Sequence, residues 1–294
     1  MKSSIVIDNV FKSVLFLCVA MTLLVTATVI LILGTESFIF FQKVSIFDFL
    51  FGLKWEPLLE PKSFGVLPLV AGTFLVVVGA IALALPAGIL IATYLSEFAS
   101  ERSRSFIKPA LEILAGIPTV VYGFFALTFI TPVIRTVLPQ TEVFNALSAA
   151  IVVGVMILPM VASLCDDGFR SLPRSLKEGA YGLGATTFEV IRYILIPASG
   201  SRIGAAVVLA VSRAVGETMA VTLAAGATPK LTANPLESIQ TMTSYIVQVS
   251  MGDTPRGGIE YMTCFAVGAL LFVMTFAMNF IGNYFINKMK WEQA

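Results

Sequence analysis

Six long apolar runs divide the chain, at about 13–33, 66–95, 110–134, 146–165, 203–225 and 259–287. A bilayer core is crossed by about 20 apolar residues at about 1.5 Å of helical rise each, so every run is long enough to span as a helix. The second and sixth runs are longer, which predicts tilt or extension beyond the lipid. The first run follows Lys2 and Lys12, as a signal peptide would. Its uncharged stretch is too long for a signal core, so it is read as a retained helix. The pattern predicts an all-α integral membrane fold of six transmembrane helices, with residues 1–294 forming a single transmembrane domain.

The polar segments between the runs set the orientation. One side collects Lys2, Lys12, Arg102, Arg104, Lys108, Arg170, Arg174, Lys177, Arg192, Arg202, Lys288 and Lys290. The other has Lys43, Lys54, Lys62, Arg135, Lys230 and Arg256, spread over longer loops. Positive charge is retained on the inside, so both termini and the loops at 96–109 and 166–202 are expected in the cytoplasm. The segments 34–65 and 226–258 are then external. Within the second, Leu236, Ile239, Met242, Ile246 and Val249 repeat at three and four, predicting an amphipathic surface helix over 234–251.

Two charges interrupt the fifth run. Arg213 lies near its middle and Glu217 four residues on, one helical turn along the same face. A charge at that depth costs about 3 kcal/mol on insertion scales, so it faces a partner or a polar cavity. Two readings follow: a mutually neutralising structural pair, or a substrate and gating site on a pathway. Thr218 and Ser212 are weaker candidates, because hydroxyls in spans commonly bond back to the backbone. Pro86, Pro118 and Pro159 fall inside spans and predict kinks, most of all in the stretch Ala115 to Thr119.

The loop 166–202 carries its own pattern. Ser171-Leu172-Pro173 starts a helix, and Leu172, Leu176, Ala180 and Leu183 form an apolar stripe. Gly182 and Gly184 interrupt it, and Thr186 to Glu189 restarts a helix with capping-box spacing until Pro197 closes it. A short helix, a glycine turn and a second helix make a protrusion suited to transmit force from a cytoplasmic partner.

Composition sharpens the class. Hydrophobic residues make up 57% and charged residues 13%, with a net charge of +1 and no histidine. A soluble domain carries about 25% charged residues. There is no block of like charge for nucleic acid, and no histidine-based metal site or triad. Cys18, Cys165 and Cys264 read as packing residues. Asp166 and Asp167 sit side by side where solvation or capping is the expected role, and Glu112 opens the third run near the cytoplasmic face, suited to a salt bridge or an interfacial role. No catalytic set and no metal site is expected. The chain also lacks a P-loop, so it binds no ATP in that manner.

Glu178-Gly179-Ala180, three residues, Gly184, nine residues and Ile194-Leu195-Ile196-Pro197 resemble the EAA loop of ABC importer permeases. Gly179 and Ile196 depart from the family pattern; its spacing is kept. A second resemblance covers almost the whole chain. Trp55-Glu56-Pro57, Phe64 to Pro68, Gly72-Thr73, Tyr94 to Glu97, Lys108 to Gly123 and Arg213 to Thr218 are similar to the PstC family of phosphate ABC transporter permeases. That likeness implies a sister permease of the PstA type, two copies of a PstB-type ATPase that uses ATP and Mg, and an external phosphate-binding protein, in the inner membrane. It also implies that Glu178, Gly179, Ala180, Gly184 and Pro197 belong to the ATPase-docking loop, with Leu172 to Ala185 seated in an ATPase groove. Two alternatives stay open: a permease for sulfate, molybdate or phosphonate, and a channel that needs no ATP. The loop argues against the channel.

Overall fold

The computed structural model describes residues 2–252, 254–255 and 257–291. Arg256, counted above among the external basic residues, lies outside them, as do the side chains of Lys2 and Lys290.

At the centre, α3 (Leu67–Thr93) packs along α7 (Ala146–Arg170). The sequence reason is a stripe of mostly small residues at every fourth position: Gly72, Val76, Ala80, Ala84, Gly88 and Ala92 are all buried. Small side chains let helix backbones approach where lipid supplies no hydrophobic drive between helices. A Cβ at Gly88 would lie 2.6 Å from Val161, and one at Gly154 would lie 3.0 Å from the Ala80 carbonyl. Pro68 occupies the first turn of α3, where no N–H is needed. The helix runs on through Pro86, and α7 runs on through Pro159.

Around this pair stand α11 (Gly200–Val215) and α14 (Ile259–Trp291), with α1 (Lys2–Phe41) lying outermost against α14. None of the hydrophobic window of α1 is buried by the rest of the chain. Its far end is tied by Ser37 Oγ, which donates to the Phe265 carbonyl at 3.0 Å. The segment that follows builds α2 (Ile46–Phe51) and an antiparallel hairpin of β1 (Trp55–Glu56) with β2 (Ser63–Phe64). Phe40, Phe49, Trp55 and Tyr245 form an edge-to-face aromatic chain there, with Trp55 and Tyr245 centroids 4.9 Å apart.

The third run is not one helix. Residues 101–116 form α4 (Glu101–Gly116), which carries the charged residues, and the span proper is Thr119–Val137. Pro118 therefore marks a break, not the expected kink. Ile117, the residue before it, is extended at ψ 130° because the proline ring excludes the helical region. The Tyr122 hydroxyl donates to the freed Leu114 carbonyl at 2.6 Å. The span continues as α5 (Thr119–Phe125), a π-turn at Ala126–Ile130, and α6 (Thr131–Val137).

The fifth run also divides. Beyond α11, Gly216 to Thr218 leave the helix, and α12 (Met219–Ala225) carries the chain outward. The expected surface helix over 234–251 is corrected as well. Residues 226–241 are irregular, and α13 (Met242–Met251) is buried over its first turn and at Val249, with Thr241 as its N-cap. The segment before it runs against α3: Thr73 Oγ1 accepts the Met242 N–H at 3.1 Å, and a Cβ at Gly72 would lie 2.5 Å from the Gln240 carbonyl oxygen. Non-helical backbone at membrane depth is tolerated where protein groups satisfy it. Gly72→Ala should therefore cost about 1–3 kcal/mol by overpacking against a backbone that cannot rotate away. Thermal unfolding in detergent checks this, with Gly116→Ala, whose Cβ meets nothing within 4 Å, as the silent control.

Candidate functional site

The break in the fifth run separates the two intramembrane charges. Arg213 lies in the last turn of α11, on an exposed stripe with Leu209 and Gly216, while Ala206, Ala210 and Ala214 face the core. Glu217 follows the helix end and is buried at 8% exposure. The expected one-turn pairing on a shared face does not form, because α11 stops at Val215 and the chain turns. Among the described residues Arg213 has no ion pair. Glu217 instead holds the break together. Its carboxylate accepts the Ala220 N–H at 3.2 Å, an otherwise orphaned donor at the start of α12. Its carbonyl accepts the Thr243 hydroxyl at 2.8 Å, joining the break to α13.

The hydroxyls near the break behave as hydroxyls in spans do. Thr218 Oγ1 donates to the Gly216 carbonyl at 3.1 Å. Ser212 Oγ is shared between the Val208 carbonyl and Asn279 Oδ1, both at 2.8 Å. Asn279, Thr243 and Gln240 were not among the sequence candidates. Asn279 was legible as an amide interrupting the sixth apolar run; Thr243 and Gln240 carry no such signal, since only the fold brings Thr243 to Glu217 and Gln240 to Gly72.

The loop 166–202 is built from short helical pieces. It contains α8 (Arg174–Gly182), α9 (Thr187–Val190), a π-turn at Ile191–Leu195 and α10 (Ile196–Ala198), which holds Pro197 in its first turn. No residue of α8 is buried. Leu183 is 91% exposed and Leu176 47%, while Leu172 and Ala180 are half-buried, so half of the predicted apolar stripe is uncovered by this chain. Glu178 and Gly179 are exposed and Ala180 is half-buried. Gly184 has φ +88°, the left-handed region that glycine enters without Cβ strain, and it turns the chain from α8 to α9.

The capping box forms as its spacing predicts. Glu189 N–H donates to Thr186 Oγ1 at 3.4 Å, and Thr186 N–H donates to the Glu189 carboxylate at 2.7 Å. The two helical pieces 187–198 and 200–215 meet at 67°, and Glu189 is exposed and precedes the fifth apolar run, which begins at about 203. The Thr186 backbone bond, then its hydroxyl, hold the Glu189 carboxyl below its ordinary value of 4.5. A depressed carboxylate stabilises the fold above that ordinary value, and the contribution is lost as pH falls through the lower one. Amide protection at Thr186 and Glu189, relative to the intrinsic exchange rate at each pH, should fall as pH drops below about 4.5, and Glu189→Gln should flatten that dependence.

Asp166 overturns its sequence reading. It is not at a loop but within the last turns of α7, fully buried. Arg104 of α4 grips both its oxygens, Lys108 stands 3.2 Å away, and Arg104 Nη1 also donates to the Leu95 carbonyl at 3.0 Å. This cluster ties α4 and the end of the second span to the end of α7. Lys108 and Glu112 also border a mostly apolar cavity of about 300 Å³ between α4 and α7. Glu112 is exposed on α4 and has no ion pair among the described residues.

Residues 84–291 match the family described as binding-protein-dependent transport system inner membrane component. The chain is 37% identical, over 87% of its length and 82% of the other's, to a probable ABC transporter permease, YqgH, of Bacillus subtilis. It is 33% identical, over 82% of its length and 78% of the other's, to the phosphate transport system permease protein PstC of Mesorhizobium japonicum. Among solved structures, a bacterial alginate ABC transporter with its periplasmic protein superposes with a TM-score of 0.68 at 16% identity, covering 94% of this chain and 93% of that one. The inward-facing MetNI methionine ABC transporter gives 0.57 at 17%, covering 76% and 94%. The fold is that of type I ABC importer permeases. The chain thus belongs to the binding-protein-dependent transport system inner membrane components: it is a multi-pass permease subunit and not an enzyme, and it works with a separate ATPase and a substrate-binding protein.

Proposed function

We propose that this chain is a permease subunit of an ATP-driven phosphate importer, with Arg213 on the translocation pathway. One observation carries the reading. A guanidinium is exposed about 20 Å along α11, at 1.5 Å per residue from Gly200, on a face that no element of this chain covers. Lipid does not tolerate a charge at such a depth, so that face belongs to a polar pathway or to a partner subunit. A planar, permanently charged donor that can hold two oxygens at once suits phosphate. The relatives named PstC point to the same anion.

In this reading Glu217 and Thr218 shape the pathway at the break. Glu217 can accept the proton of monohydrogen phosphate, which sulfate does not offer. Glu178, Gly179, Ala180, Gly184 and Pro197 form the loop that seats on the ATPase. A PstA-type sister permease completes the pathway, two copies of a PstB-type ATPase bind ATP and Mg in the cytoplasm, and an external protein delivers phosphate. Both termini are cytoplasmic.

The test is phosphate uptake into vesicles holding this chain with those partners, with sulfate and molybdate as competitors. Uptake that requires ATP and ignores both competitors is the expected result. Uptake displaced by sulfate or molybdate would assign another oxyanion, and uptake without ATP would make the chain a channel or secondary carrier.

A further inference from the structure

The coupling helix α8 is set apart from the membrane spans by its backbone. Pro173 precedes it in an extended conformation, at ψ 133°, and Gly184 follows it at φ +88°. Neither junction continues a helix, so force on α8 is poorly carried along the chain itself. Among the described residues a single ion pair joins the coupling loop to a membrane span. Lys177 of α8 contacts the carboxylate of Glu97, and the two side chains are only 20% and 8% exposed. On the same helix Glu178 is exposed and has no ion pair among the described residues.

Glu97 sits in the π-turn Tyr94–Phe98 that ends the second span. Ser96 Oγ donates to the same carboxylate oxygen at 2.9 Å. Two residues earlier, the Leu95 carbonyl is held by Arg104, whose other contact is buried Asp166 of α7. Lys177 therefore pulls on a short segment already fastened to the ends of two packed spans. Shielding from water strengthens such a pair relative to a surface one.

We infer that the Lys177–Glu97 pair is the linkage through which the coupling helix moves the second and fourth spans. This rests on the reading that α8 seats on the ATPase. Lys177 and Glu97 are then positioning residues: neither touches substrate or nucleotide. Rupturing the pair leaves ATP hydrolysis running while the spans follow it less faithfully.

The experiment uses the whole transporter in proteoliposomes, with oxyanion uptake and ATP hydrolysis measured on one preparation and assembly checked by co-purification of the ATPase. Lys177→Met, which keeps the packing stem, and Glu97→Gln should each lower uptake per ATP by about tenfold, the scale of coupling carried by one contact network. The exchange Lys177→Glu with Glu97→Lys should return the ratio to near the starting value. An unchanged ratio in the assembled single variants overturns the inference, and so does an exchange variant that assembles but stays uncoupled. The ratio is read with whichever of phosphate or sulfate the unmodified transporter carries. A failure of the phosphate reading thus appears in the unmodified protein, and a failure of the linkage only in the variants.

Discussion

Asp166→Ala is expected to be the most damaging single substitution among the charged residues where α4 meets the end of α7. The carboxylate is fully buried and receives both Arg104 and Lys108. Its removal leaves buried Arg104 without a carboxylate, while Lys108 keeps only Asp167 at 3.8 Å, and breaking a buried pair in this way costs about 3–5 kcal/mol. Lys108→Ala should cost far less, because its side chain is 34% exposed and Arg104 keeps Asp166 paired. Arg104→Ala falls between: Lys108 still neutralises Asp166, but the Leu95 carbonyl loses its donor. Thermal unfolding of the detergent-solubilised complex across the three variants gives the ranking. If Asp166→Ala and Lys108→Ala behave alike, the cluster is not the anchor its geometry describes.

Arg213→Ala should reduce transport by at least about tenfold, since a hydrogen bond to a charged group contributes about 1.5–3 kcal/mol. The complex should still assemble, because Arg213 has no ion pair among the described residues. Glu217 separates into two roles that different substitutions resolve. Glu217→Ala removes the acceptor from the Ala220 N–H and should loosen the break between α11 and α12. Glu217→Gln keeps an oxygen for that N–H and removes only the charge. Its expected effect is on selectivity: the phosphate-over-sulfate ratio in competition uptake should fall while assembly is retained. An unchanged ratio in Glu217→Gln would confine Glu217 to holding the break.

Local pattern was informative wherever one stretch of chain decides its own conformation. The capping box at Thr186 and Glu189 needs only neighbours three residues apart, and it forms. The turn at Gly184 needs only the freedom of glycine. The distortion expected near Pro118 follows from proline sterics, and only its degree was misjudged: a full break replaces a kink. Within the loop marked by the EAA-like spacing, Leu176 and Leu183 are exposed, whereas Leu195 is fully buried.

The candidate site was legible in part. Arg213 and Glu217 stood out because a charge interrupts an apolar run, but their relation did not, since a spacing of four implies a shared face only while the helix continues. Three small-to-polar positions, Gly216 to Thr218, end it. The buried role of Asp166 was hidden because its partner Arg104 is 62 positions away in sequence. The segment 234–251 kept its apolar periodicity yet became half loop and half buried helix, because Gly72 and Thr73 of α3 receive it.

The sequence by itself determined the membrane class, the number of apolar runs, the helical loop 166–202 and the two charges that interrupt the fifth run. Each follows from transfer free energy or from backbone preferences acting within a few residues. Only the tertiary structure decided which helices break, which charges pair, and that Arg213 is left open while Glu217 is buried. Those outcomes depend on partners far along the chain, whose proximity exists only after the spans have packed.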